Sequence, residues 1–427
     1  MLKKSNLRKL KEKYYKDKNN HLKTRILNKT ALLDLVTDYN DNLDEVFNIE
    51  VKTHGVIDQK STGRCWSYAG LNILREQVIK KCNIDSFELS GSYIAFYDKL
   101  ERFNMYMEKL EKYSDEDRDI YDRDIHFILK MGFDDGSNFC EFKELVKKYG
   151  VVPKNTYSNS FQSNDTVELN YLLSRLLRKY YIDLIESKKG IKEKYLQDAY
   201  KILGNVYGIP NEKFDFEYID NNNTYHIDKG ITPKHFYDKY INLDLDDYIE
   251  IYSYKDEKYD YDNMYVLDDS SMIYGKKSSP ILNIKYNELE DLMIKQLKNN
   301  EPVYISASTT PKYVNGIWID LISRYSNFFN VDFELTNNEN VRTYGTTGEH
   351  SMLLTGVSIK NNKINRWKIE NSWGSSEGLN GYFIAENEYM HKNLISAVVN
   401  VKYLNKKQKE LIKKKPIVIS KWDYKFW

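Results

Sequence analysis

Cysteine is scarce: Cys65, Cys82 and Cys140 are the only three in 427 residues. An odd count without paired spacing excludes a disulfide framework and a CxxC zinc knuckle. It fits a reducing compartment, so a cytoplasmic location is expected. No run approaches the roughly 18 apolar residues of a membrane-spanning helix, so no membrane partner is expected. The start, Met1 to Arg8, lacks the apolar stretch of a secretory leader. Net charge is almost absent too, with 64 Lys and Arg against 63 Asp and Glu. That excludes a wholly polybasic or polyacidic protein while leaving room for local patches. Aliphatic side chains are thin, since 37 of the hydrophobic residues are Tyr, whose buried ring still needs a partner for its hydroxyl.

Residues 1–29 hold 11 Lys and Arg against 2 Asp and Glu. This basic arm reads as a solvated helix, with a weak nucleic-acid contact as the sharper alternative. Trp66, Ala69 and Ile73, with Leu74 and Val78 beside them, trace helical spacing just after Gly63. Cys65 therefore falls at or near a helix N-terminus. Residues 90–110 and 141–149 also read as helices, the second stopped by Gly150 and Pro153. Leu169, Leu172, Leu173, Leu176, Leu177, Tyr180, Tyr181, Leu184 and Ile185 form a 3.6-period stripe. It is too short for a zipper and is expected to pack in a core. A further helix is expected from Lys192 to Leu203, ended by Gly204, and another over 286–299. Residues 210–285 are polar with short strand-like pieces. From Val303 the pattern turns to strands, over 303–307, 351–359, 365–370, 382–385 and 397–403, punctuated by glycine. The fold class is α+β.

Metal and phosphate motifs fail. No HExxH occurs, and Glu349-His350 lacks a second His. Gly275-Lys276-Lys277-Ser278 is not a P-loop, and Asp220 to Tyr225 lacks the glycine of a calcium loop. No metal and no cofactor are expected.

Three segments carry chemistry. In Gln59-Lys60-Ser61-Thr62-Gly63-Arg64-Cys65-Trp66, a cysteine at a helix N-terminus feels the positive end of the dipole, which favours the nucleophilic thiolate. A loop can fold Gln59 back, so that its side-chain N–H and the Cys65 backbone N–H together hold a developing oxyanion. In Gly348-Glu349-His350-Ser351, His350 begins an apolar strand. In Glu370-Asn371-Ser372-Trp373-Gly374, Asn371 follows His350 by 21 residues. An antiparallel neighbour strand brings its amide oxygen to the His350 ring, where it is expected to accept from Nδ1–H while Trp373 covers the bond. Gln, Cys, His and Asn in this order meet the needs of a thiolate–imidazolium hydrolase.

Gly63-Arg64-Cys65-Trp66 together with Glu370-Asn371-Ser372-Trp373-Gly374 resembles the papain superfamily, with Thr62 where secreted members carry a disulfide-bonded Cys. The 285-residue gap from Cys65 to His350 exceeds the usual spacing of about 130–150. The longer chain is similar to the bleomycin hydrolase, or aminopeptidase C, family. Phe87 to Glu101, Asp134-Asp135-Gly136, Lys147 to Lys154, Gly230 to Tyr237, and Lys415 to Val418 with Trp422-Asp423 carry the likeness over residues 30–427.

The resemblance implies a papain-like fold with a large helical insertion. Residues 1–160 would form an N-terminal arm and a helical half with the nucleophile, and 161–300 the insertion. Residues 301–403 would form a β-rich half with His and Asn, and 404–427 a tail reaching the cleft. It implies a cytosolic cysteine aminopeptidase acting on peptides, with Cys65, His350 and Asn371 catalytic and Gln59 in the oxyanion hole. It also implies a homohexamer and a terminal carboxylate, here that of Trp427, meeting the substrate's α-amino group. Departures are Asp58 before Gln59, Glu349 before His350, Gly91 in the second helix, and a short bulky end, Tyr424-Lys425-Phe426-Trp427. The altered end makes an endopeptidase-like variant the alternative. An inactive nucleic-acid-binding shell is the alternative from a different class.

Overall fold

The computed structural model describes residues 1–38, 45–186, 190–268, 271–310, 313–345 and 348–422. A helical layer packs on one face of a long twisted sheet, an α+β arrangement. The helix Cys65–Cys82 lies between the two. It is buried around most of its circumference, the polar Ser67, Asn72 and Arg75 included. Gly70 lets it approach its neighbour, because a Cβ there would sit 2.4 Å from the Phe142 ring. Gly91 plays the same part at the next helix, where a Cβ would meet the Tyr68 ring at 2.5 Å.

Around it stand the helices Gly91–Asp115, capped by the Ser90 hydroxyl, and Phe139–Tyr149, capped by Asn138. Outside these lie Val167–Ile185 and Lys192–Tyr207. The leucine stripe is core, as expected for Leu169, Leu173, Leu177, Tyr180 and Tyr181, whereas Leu172 and Ile185 at its margins are exposed. The Lys192–Tyr207 helix runs one turn past Gly204 and ends at Gly208. Gly204 is no stop signal here: it makes room for Ile209, whose Cδ1 would lie 2.4 Å from an added Cβ. The basic arm forms two helices, Lys4–Lys16 and Lys18–Leu27, that bury no residue.

Eleven strands among the described residues form the sheet. Its centre is antiparallel, running Tyr248–Tyr252, Leu394–Asn400, Val303–Ala307, His350–Lys360, Lys363–Glu370 and Tyr382–Glu386. Strands from residues 248–283 thus continue the sheet built by residues 303–400. The face toward the helices contributes Tyr304, Leu353 and Val398 to one core, and the other face packs on the helix Tyr286–Lys298. Segment 397–403, read as one strand, is a strand only to Asn400 and then a 3-10 turn over Val401–Tyr403. Asn400 caps that turn by accepting from the Lys402 N–H, and such side-chain capping competes with the ladder.

Two buried polar knots fasten the helix Cys65–Cys82. At its start Asp135 accepts from the Gly63 N–H at 3.0 Å and from Lys99 Nζ at 2.6 Å, and its carbonyl accepts from Trp66 Nε1 at 2.7 Å. Burial would push the Asp135 carboxyl up, but Lys99 and these donors hold it well below the usual carboxylate range. At mid-helix Glu370 Oε1 accepts from Asn72 Nδ2 at 2.7 Å and from Arg75 at 3.1 Å. Both charges of this pair are buried and Arg75 also meets Glu76 at 3.1 Å, so it is removal of Arg75 that strands Glu370. Arg75→Ala is expected to cost about 3–5 kcal/mol of stability. Urea unfolding checks it: a midpoint like that of the wild type would show that the pair does not clamp helix to sheet.

Candidate active site

The Cys65–Cys82 helix begins on the nucleophile candidate itself. Arg64, its N-cap, makes no side-chain capping bond, so the first-turn N–H groups are not consumed by a cap. Cys65 is buried and sits against the first residue of the strand His350–Lys360. The Ser351 N–H donates to Cys65 Sγ at 3.5 Å, and the sulfur also hydrogen-bonds the His350 ring. Burial pushes the thiol up, but the charge and hydrogen bond of His350, with the Ser351 and Trp66 amides, outweigh it and bring Cys65 below its ordinary value. Burial pulls His350 down, while Cys65, Asn371 and Glu349 lift it above its ordinary value. The opposed shifts describe one couple that shares a proton toward the thiolate–imidazolium form.

Asn371 follows the strand Lys363–Glu370, antiparallel to the His350 strand with Glu370 opposite Leu353. Its Oδ1 meets His350 Nε2 at 2.7 Å and also accepts from the Ser372 N–H at 2.7 Å. The expected contact thus forms through Nε2 and not Nδ1. The reason lies in the backbone: the Ser351 amide brings the sulfur close to the main chain at His350, so the near ring nitrogen, Nδ1, faces sulfur. The far nitrogen is the one that reaches Asn371. Trp373 stacks on the His350 ring, with centroids 4.7 Å apart and planes at 28°. Trp318, Tyr313 and Phe383 hold Trp373 from behind.

Gln59 is buried in the same site. The Gln59 N–H donates to the Ser372 carbonyl at 2.8 Å and the Gly374 N–H to the Ile57 carbonyl at 3.1 Å, so the loop before the nucleophile zips onto the Asn371 turn. Gly374 adopts φ +84° against Asp58, whose carboxylate would lie 3.0 Å from an added Cβ, a conformation and a space that glycine fits. Ser372 Oγ donates to Gln59 Oε1 at 2.6 Å, and Gln59 Nε2 donates one hydrogen to the Thr62 carbonyl at 2.5 Å. The second N–H of that amide remains for a ligand. Ser372 and Thr62 were in the motifs, yet only the folded loop reveals that they orient Gln59.

Gln59, Cys65 and His350 open on one cavity of about 600 Å³. Its far wall is the helix Arg123–Met131 with Met105 and Tyr106. Trp422 lines it as well, against Phe127 at 5.2 Å and under the Arg123 guanidinium at 4.1 Å, while Lys421 pairs with Asp124 at 2.8 Å. Trp427, the expected clamp, lies outside the described residues. Among the described residues no cluster of His, Cys, Asp and Glu fits a metal ion, and no helix is long and apolar enough to cross a membrane.

Comparison with known proteins finds relatives over nearly the whole chain. The Peptidase C1-like family matches residues 1–425. Aminopeptidase C of Lactobacillus helveticus is 32% identical over 431 residues, covering 96% of each chain. Aminopeptidase C of Listeria innocua is 33% identical over 386 residues, covering 88% of this chain and 87% of its own. The crystal structure of PepW from Lactobacillus rhamnosis superposes with a TM-score of 0.91 at 31% identity, over 99% of this chain and 98% of that one. The likeness to the aminopeptidase C family read from the motifs is borne out.

The three free cysteines differ in surroundings. Burial lifts Cys82 to about 11 and, with Glu250 beside it, Cys140 higher still. At neutral pH iodoacetamide should therefore label Cys65 first, by at least about tenfold. His350→Ala leaves burial without its counter-charge and should slow that labelling to the rate of the other two. Peptide mapping by mass spectrometry reads both, and equal labelling of the three cysteines would refute the couple.

Proposed function

The chain belongs to the Peptidase C1-like family, and on that premise we propose that it is a cytosolic cysteine aminopeptidase working through Cys65, His350 and Asn371. The observation that carries the reading is geometric: Cys65 Sγ accepts from the Ser351 N–H at 3.5 Å beside His350, whose far ring nitrogen lies 2.7 Å from Asn371 Oδ1, and Gln59 opens on the same cavity. Cys65 Sγ attacks the carbonyl carbon of the first peptide bond. The oxyanion takes hydrogen bonds from the free Gln59 Nε2–H and the Cys65 N–H. His350 passes its proton to the departing amine, leaving a thioester on Cys65. Deprotonated His350 then takes a proton from water, which attacks the thioester and restores the thiolate. Asn371 fixes the ring plane throughout, and Trp373 keeps water from that hydrogen bond.

Exopeptidase action is assigned to the tail. Lys421 and Trp422 root it in the cavity wall, and the terminal carboxylate of Trp427 is the group proposed to pair with the substrate's α-ammonium. The relatives' name, aminopeptidase C, supports the same register. A homohexamer, an insertion over residues 161–300, and the division at 160, 300 and 403 follow from the family resemblance and are proposed with it; within 161–300 the helices Val167–Ile185 and Lys192–Tyr207 give way to strands, of which those in 248–283 join the main sheet.

Two outcomes test this. Fluorogenic aminoacyl amides should be cleaved in reducing buffer, N-acetylated versions should not, and Cys65→Ala should abolish turnover. Cleavage of the blocked substrates would overturn the aminopeptidase register, and no turnover of any would overturn the enzyme. The pH profile of kcat/KM should be a bell: it rises as Cys65 ionises below its ordinary value and falls as His350 loses its proton above its own. Within that window Gln59→Ala should lower kcat by roughly 10²–10³ and Asn371→Ala by roughly 10² or more. Steady-state kinetics would count against these roles if either variant kept full kcat.

A further inference from the structure

One buried acid in the cleft has no part in the chemistry above. Glu250 lies on the strand Tyr248–Tyr252, is 6% exposed, and lines the same cavity as Cys65 and His350, beside Tyr252, Met272 and Ser306. Its cross-strand row is Val398, Tyr304 and Leu353, the sheet face turned toward the catalytic helix. Three strand spacings of about 4.8 Å separate it from the His350 strand, about 14 Å in all. Glu250 and the nucleophile thus line one cavity with the width of three strands between their rows.

Its carboxylate is held by neutral donors. Ser396 Oγ donates to Oε1 at 2.8 Å and Cys140 Sγ to Oε2 at 3.6 Å. Among the described residues no Lys, Arg or His forms an ion pair with it; the nearest felt cation, Lys143, is spent on Asp246 at 3.4 Å. The other inward carboxylates differ. Asp124 is matched by Lys421 at 2.8 Å and Asp134 by Arg102 at 3.4 Å, while Glu349 is exposed at the rim. A buried carboxyl without a counter-charge is costly, and burial pushes this one up. A cation delivered into the cavity would supply the missing charge, and each carboxylate oxygen keeps a lone pair for it.

Resting on the peptidase reading, we propose that Glu250 determines specificity by receiving the cationic side chain of a Lys or Arg on the acyl side of the scissile bond. Met272, Tyr252 and the Met105–Tyr106 wall take the aliphatic stem, and Glu250 takes the charged head, as long basic side chains divide between apolar and polar surroundings. The sulfur of Cys140 is a donor to Glu250 and not a second nucleophile, since burial and the neighbouring carboxyl keep its proton on.

The test compares arginyl with citrullinyl substrates, which share shape and differ in charge, as single aminoacyl and as dipeptidyl amides. The wild type should prefer the arginyl member of one series by about 10- to 100-fold in kcat/KM. Glu250→Gln, an isostere that keeps the Ser396 contact, should remove the preference, and Glu250→Asp should retain part of it. The ratio, not the absolute rate, carries the result. A wild-type ratio near one, or a ratio that survives in Glu250→Gln, overturns the proposal. A loss equal on both members also overturns it, because it would put the α-ammonium on Glu250 instead. Binding of the same arginyl and citrullinyl peptides to Cys65→Ala, with and without Glu250→Gln, reads the selectivity without turnover. Failure of hydrolysis and failure of this site are thereby told apart.

Discussion

The active site straddles a seam, and a buried ion pair closes that seam. Arg75 projects from the nucleophile's helix and Glu370 from the strand that ends at Asn371. One bond thus joins the element that aims the sulfur to the residue next to the one that orients the imidazole. Coulomb attraction is strong where water is absent, but so is the cost of putting both charges there. A pair of this kind specifies register more than it adds stability. If the helix slid by one turn, Arg75 would leave Glu370 stranded, and Cys65 would leave His350 by the same step. The second knot, around Asp135, fixes the other coordinate: with Gly63 and Trp66 both bound to one residue, the chain has little freedom in how it enters the helix.

Gln59 shows how the same seam supplies electrostatics without movement. Its backbone pairs with Ser372 and its side chain is held at both ends, by Ser372 Oγ on the oxygen and by the Thr62 carbonyl on the nitrogen. An amide fixed in this way presents its remaining N–H at a set angle and pays no reorganisation as charge develops. The Asn-Ser-Trp-Gly turn therefore does four things in four residues. Asn371 aims the imidazole, Ser372 aims the oxyanion donor, Trp373 covers the ring, and Gly374 takes the positive φ that lets the turn lie against Asp58.

Much of this was legible because it is local. Helical spacing around Trp66, the Gly150 and Pro153 stop after residues 141–149 and the apolar run after His350 each encode their element in a short window. The four site residues were legible because each sits in a distinctive segment, and their long separation in sequence does not blur the segments. Contacts that depend on two distant pieces were not. Nothing near Gly204 signals that Ile209 will fold back onto it. Nothing in residues 248–283 signals that short strands there will extend the sheet of residues 303–400, for a three-residue strand such as Ile281–Asn283 carries too few positions for a period. The choice of Nε2 over Nδ1 is subtler still, since it turns on where the main chain at Ser351 puts the sulfur.

Burial alone does not decide what a cysteine can do. Cys65, Cys82 and Cys140 are all removed from most solvent, and in each burial is the largest influence and raises the pKa. What separates them is the charge and the dipoles that face the sulfur. Cys140 meets a carboxyl, Glu250, which disfavours a second negative charge. Cys82 has Tyr218 and the Lys81 charge, too little to reverse the sign. Cys65 meets an imidazole and two backbone amides at the start of a helix, and only there does the sum change direction. Desolvation then becomes an asset, because the field that stabilises the thiolate is not screened by water. The same absence of water that leaves the His350 field on Cys65 unscreened pushes the unmatched Glu250 in the same cavity toward its protonated form, which an entering cation would reverse.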